Sequence, residues 1–79
     1  MRRYFFDVET ATSIVLDDTG EEVANEQAAR DEAVNVLAVL AKDYLPTAKT
    51  QDNMIVRVRD EKGEPLLQLT LSSTLQRFK

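Results

Sequence analysis

The sequence predicts an α+β fold: a two-layer ββαββ domain whose four-stranded, mainly antiparallel sheet carries one long helix on one face. Three observations predict it. Apolar side chains alternate with period two near both ends of the chain. One continuous stretch between them, Glu26 to Leu45, has helical periodicity instead. Turn-forming residues at Asp17–Gly20 and Asp60–Gly63 punctuate the alternating stretches.

The elements follow in order. Arg3 to Glu9 reads as a strand, with Tyr4, Phe6 and Val8 on one face and Arg3, Phe5, Asp7 and Glu9 on the other. Ser13 to Leu16 reads as a shorter second strand, placing Ile14 and Leu16 on one face and Val15 on the other. Asp17, Asp18 and Gly20 stop it, because the aspartates suit a turn and glycine tolerates positive φ. Asn25 is the expected N-cap of the helix, and Glu26 complements its dipole. Along the helix Ala33, Val34, Leu37, Leu40, Ala41 and Tyr44 fall in one stripe, opposite Asp31, Glu32, Asn35 and Lys42. Val39 points with the polar group. Pro46 disfavours helix at the residue before it, so the helix is expected to end near Tyr44 or Leu45.

Thr47 to Asp52 is a polar linker. Asn53 to Arg59 alternates again, with Met54, Val56 and Val58 against Ile55, Arg57 and Arg59. Asp60–Gly63 is a hairpin connection, with Gly63 in the left-handed position. Pro65 to Ser72 is the partner strand: Leu67, Leu69 and Leu71 face one way, Leu66, Gln68 and Thr70 the other. The expected domain spans 1–72, and residues 73–79 form a tail that keeps Leu75 and Phe78. The first strand is expected to be central.

Composition narrows the chemistry. A core of this size rarely supplies more than about 3–5 kcal/mol of net stability, so good packing or oligomerisation must do the rest. The 79 residues include no cysteine and no histidine. Disulfides, thiolate metal sites and the commonest general base are thereby excluded. Net charge is −4, and residues 1–24 alone hold two basic and six acidic side chains. An acidic domain is a poor match for a phosphate backbone. Arg2 and Arg3 are followed by Asp7 and Glu9 rather than an apolar run, so no signal peptide is read. The longest apolar stretch, Val36 to Ala41, falls far short of the roughly 20 residues that span a bilayer. A cytoplasmic protein with no membrane association is expected.

The opening M-R-R-Y-F-F-D-V, the segment L-D-D-T-G-E-E-V, the helical A-A-R-D-E-A and the hairpin V-R-D-E-K-G-E-P-L-L-Q-L stand in an order and spacing that carry a resemblance. The chain resembles a small family of stand-alone proteins of unknown function, found mainly in rhizobia and other alphaproteobacteria. That resemblance implies a bacterial, cytoplasmic protein with this fold, and it implies no activity and no catalytic residues. Residues 47–53 carry none of the pattern.

Ser13, Ser72 and Ser73 lack a base to activate them, and Asp7, Glu9, Asp17 and Asp18 read as strand exteriors and a turn. The cluster Asp17, Asp18, Glu21 and Glu22 lacks the calcium-loop spacing. No enzyme, metal or cofactor is therefore expected. Arg3, Arg57 and Arg59 beside Phe5 are the residues that would contact nucleic acid, in the manner of a small antitoxin-like regulator. The preferred reading has Arg57 and Arg59 either solubilising an exposed face or pairing with Asp7 and Glu9 across strands. The leading expectation is a protein-interaction module. If the helix covers one face of the sheet, Phe5, Val15, Ile55 and Leu66 are left on the other. Either Leu75 and Phe78 fold back over them, or a second copy or another protein packs there.

Overall fold

The computed structural model of the chain describes residues 1–44 and 51–78. It is an α+β domain with one helix and an open antiparallel sheet: β1 (Arg2–Glu9), β2 (Ile14–Val15), β3 (Glu21–Val23), α1 (Glu26–Tyr44), β4 (Gln51–Arg59) and β5 (Pro65–Thr74). Five strands thus replace the expected four. The sheet order is β2-β1-β4-β5, with β3 also paired to β1.

β2 and β3 share one edge of β1 and occupy the place of a single strand. β2 pairs Val15 with Val8, whereas β3 pairs Val23 with Arg2, so the register shifts by two residues between them. Residues 16–20 take up that shift as a loop, and Gly20 closes it at φ 72°. The other edge of β1 belongs to β4, with Phe6 opposite Val58 and Val8 opposite Val56. β4 in turn pairs with β5 along its whole length.

The core lies between this sheet and α1. Tyr4, Phe6, Val56 and Val58 form its sheet side, Ala29 and Ala33 its helix side, with Val8, Val23, Val36, Leu37, Leu67 and Leu69 packed around them. Met54 is also fully buried. Both helix alanines are wholly inaccessible, which lets the helix backbone approach the sheet closely. The buried stripe is therefore centred on Ala29, Ala33, Val36 and Leu40 and is rotated from the expected one. Val34 drops out of it and is 46% exposed. Val39 is exposed, as expected.

Local chemistry sets the ends of the elements. Asn25 caps α1, its Oδ1 accepting from the Ala28 amide at 2.9 Å. Among the described residues the helix runs to Tyr44; Leu45, Pro46 and most of the expected linker lie outside them. β4 begins at Gln51, two residues before the expected start. Asp52 explains this: it is buried, its Oδ2 accepts from the Tyr44 hydroxyl at 3.0 Å, and its Oδ1 accepts from the Asn53 amide at 2.8 Å. At the hairpin, Asp60 Oδ1 accepts from the amides of Lys62 and Glu64, both at 2.9 Å, and Gly63 has φ 85°.

Asn25→Ala should lower the free energy of unfolding by about 1 kcal/mol, and Asn25→Ser should nearly restore it. Urea denaturation of the three proteins measures both effects.

Candidate interaction surface

The sheet face turned from the helix is built around Asp7, Asp17 and Arg59. The Asp17 carboxylate accepts from three amides: Phe6 at 3.0 Å, Thr19 at 3.1 Å and Gly20 at 3.0 Å. Its own amide donates to Asp7 Oδ1 at 2.9 Å. Arg59 then binds Asp7 through two nitrogens, at 2.9 and 3.2 Å, and donates to the Asp17 carbonyl at 2.6 Å. Its guanidinium lies 4.7 Å from the centre of the Phe5 ring. One side chain from β4 thus fastens β1 and the 16–20 loop together. Gly20 fits beneath it with no room for a side chain. A Cβ there would stand 2.9 Å from both Arg3 Cγ and Phe5 Cε2.

The other charged groups of this face are also paired. Arg57 lies 3.7 Å from Glu9 and donates to Gln68 Oε1 at 3.0 Å. Arg3 binds Glu22 at 2.8 Å and the Thr19 carbonyl at 2.9 Å. All three arginines singled out for nucleic acid therefore rest on carboxylates.

These contacts explain the titration of the cluster. Burial acts to raise the Asp7 carboxyl, but hydrogen bonds from Arg59 and the Asp17 amide, with the Arg59 charge, hold it below the ordinary value. Burial likewise opposes ionisation of Asp17, and the amides of Gly20, Phe6 and Thr19 outweigh it. Arg59 is raised by its bond to Asp7. Glu21 shifts the other way: its carboxyl meets that of Glu32 on α1, which raises it, with smaller contributions from burial and the Asp17 charge.

The structure separates the four apolar residues expected on this face. Phe5 and Ile55 are there, in register with Arg59 and Glu9, and both are half-buried. Val15 is not. It pairs with Val8, whose side chain packs on the core, so Val15 stands on the helix side and Ile14, opposite Glu9, takes the outer face. The turn at residues 10–13, where the Thr10 amide donates to the Ser13 carbonyl at 2.8 Å, sets this register and reverses the expected alternation. Leu66 is displaced as well. Arg59 pairs with Pro65 across a bulge, leaving Leu66 without a partner on β4. It lines a cleft of about 720 Å³ with Arg2, Tyr4, Asn25, Glu26 and Lys62 at the end of the domain. Leu75 and Phe78 do not cover the face; they are 57% and 87% exposed. The outer face is thus a polar lattice enclosing Phe5 and Ile55, rather than a continuous apolar patch.

The surface that lacks an owner is the free edge of β5. Strand pairing shows which backbone groups it presents. The Phe6 amide is taken by Asp17, so Phe6 turns its polar groups away from β4. Its partner Val58 consequently bonds toward β5, to Leu67. The groups of Gln68, Thr70 and Ser72, on the alternate residues, therefore point outward. This edge runs ten residues, PLLQLTLSST, without a charge. Leu67, Leu69 and Leu71 line its helix side and are only half-buried. Strand order, which local periodicity does not encode, was needed to find it; the missing charges were visible in the sequence.

Among the described residues no helix is long and apolar enough to cross a membrane, and no group of three or more acidic side chains is placed to hold a metal ion. A family model described as Domain of unknown function (DUF6894) matches residues 3–72. No curated protein and no solved structure matches the chain.

Asp7 and Asp17 both ionise more readily folded than unfolded. Each therefore stabilises the fold above the ordinary aspartate pKa of about 3.9, and that contribution is lost as pH falls through the depressed folded values. Asp7→Asn should cost about 2 kcal/mol at neutral pH and flatten the loss of stability below about pH 4. Urea unfolding of both proteins from pH 7 down to pH 2.5 measures it.

Proposed function

This chain belongs to the family described as Domain of unknown function (DUF6894), and for it we propose a non-enzymatic protein-interaction role exercised through the free edge of β5. The observation that carries this reading is the uncharged, ten-residue edge with outward backbone groups and half-exposed leucines. Such an edge binds a partner by strand addition, in which main-chain hydrogen bonds supply affinity and alternate side chains supply specificity.

Several features support the reading. The chain has neither histidine nor cysteine. The two most deeply engaged carboxylates of the outer face, Asp7 and Asp17, are held ionised by structural partners. Arg3, Arg57 and Arg59 are committed to carboxylates, so a nucleic-acid-associated regulator draws no support from them. The proposal places the protein in the bacterial cytoplasm, in keeping with the sequence resemblance.

The test is a site-specific photo-crosslink in the native host cell. A photoreactive side chain at position 70 should join the chain to a protein, of any identity, while the same group at Asp18 on the opposite edge should not. Absence of a crosslink at position 70, in a protein that folds normally, overturns the reading.

A further inference from the structure

We propose that the occupant of the β5 edge is a second copy of this chain, paired antiparallel about a two-fold axis at Leu69 and joining the two sheets into one. The proposal rests on the protein-interaction reading and names its partner.

The strand is self-complementary about that residue. With Leu69 opposite Leu69, Leu67 meets Leu71 and Gln68 meets Thr70. A two-fold axis at Gln68 or Thr70 would set a terminal leucine against Pro65 or Ser73. The Leu69 register alone matches all three leucines with leucines on one face; on the other it pairs Gln68 with Thr70 and sets Leu66 against Ser72 at the ends. It also suits the hydrogen bonds. The outward backbone groups belong to Gln68, Thr70 and Ser72, so Gln68 and Thr70 form a bonded pair, and Leu69 meets its counterpart in the closer, non-bonded pair. No like charges are brought together, because residues 65–74 carry none.

The helix supplies an independent observation. The Glu21–Glu32 contact shows that the Glu32 flank of α1 faces β3. At about 100° per residue Val34 and Ala41 occupy the opposite flank, toward β5, with Leu37 beside them. Val34 is 46% exposed, and Leu37 and Ala41 are half-buried. Arg30, ion-paired with Asp31 at 3.9 Å, shares this flank near the helix start. Two-fold pairing of β5 brings these flanks toward each other over the joined leucine rows. Apolar surface that one helix leaves half covered is then closed from both sides, as a small core requires.

The contrast between the two edges points the same way. The β2–β3 edge is short, is interrupted by the 16–20 loop and displays Asp18, Glu21 and Glu22. Those are the features by which proteins keep an edge from pairing. β5 has none of them beyond Pro65 and the bulge at its first turn of chain.

Sedimentation equilibrium of the purified protein at high micromolar concentration should give twice the 8.9 kDa chain mass. Thr70→Pro removes an outward donor without touching the bonds to β4. It should weaken the dimer by about thirtyfold, through two lost hydrogen bonds, with the circular dichroism unchanged. Leu69→Cys, the only cysteine in its chain, should oxidise to a disulfide-linked dimer. Val39→Cys, on the other helix flank, should form no disulfide-linked dimer under the same conditions. A folded protein that sediments at 8.9 kDa and gives no Leu69→Cys dimer overturns the second-copy proposal. If position 70 still crosslinks to a different protein in the cell, the interaction reading survives that failure. If it crosslinks to nothing, both fall.

Discussion

The amide of Phe6 donates to a side chain, the carboxylate of Asp17, where a continuous second strand would have offered a carbonyl. Much of the sheet's arrangement depends on that substitution. Asp17 can reach the amide only because residues 16–20 leave the edge of β1, and they stay out because the same carboxylate also holds the amides of Thr19 and Gly20. The loop in turn presents the Asp17 amide to Asp7 and the Asp17 carbonyl to Arg59. Buried ions of this kind are costly unless fully paired, and here the pairing is complete: among the described residues no buried side-chain polar atom lacks a partner. The cluster therefore contributes as much to which residues pair as to how tightly they do.

The parts of the fold legible in the sequence are those decided by neighbours in the chain. Asn25 capping α1, Asp60 and Gly63 closing the last hairpin, and the alternation of Tyr4, Phe6 and Val8 all rest on local geometry. The same holds for Met54, Val56 and Val58. Period-two reasoning failed at Val15 because a sheet face is a statement about register as well as alternation. That register is set at the 10–13 turn, which puts Ile14 opposite Glu9, whereas the two-residue shift between Val8–Val15 and Arg2–Val23 keeps the faces and follows from Asp17, ten residues from Asp7 and forty-two from Arg59. Leu66 was misplaced for a related reason: the bulge opposite Arg59 has no local signature beyond Pro65. Asp52 reads as linker by polarity and becomes buried strand only because the Tyr44 hydroxyl meets it.

The candidate site was legible in a different sense. Phe5 and Ile55 do share the outer face, yet that face is occupied by Arg57, Arg59 and their carboxylates. An apolar count per strand cannot reveal this, since Arg59 covers the Phe5 ring by lying across it. The more telling signal was negative. Every other strand longer than two residues carries acidic or basic side chains, and β5 carries none. Within a central strand that would be unremarked, because both sides of the backbone are paired. At an edge it becomes a property of the surface.

Edge chemistry and core size bear on each other in a domain this small. α1 lies chiefly over β4, and the row Leu67, Leu69, Leu71 is left half-buried beneath its far flank. Covering that row within one chain would take a second helix or a longer connection. A partner strand covers it with no added sequence, and satisfies the outward amides and carbonyls of β5 at the same time. The two needs arise at the same place because one strand supplies both the open ladder and the exposed leucines. Under the proposed pairing, the acidic, interrupted edge at β2–β3 leaves a single side to pair, so that association would close at two chains and not propagate along the sheet.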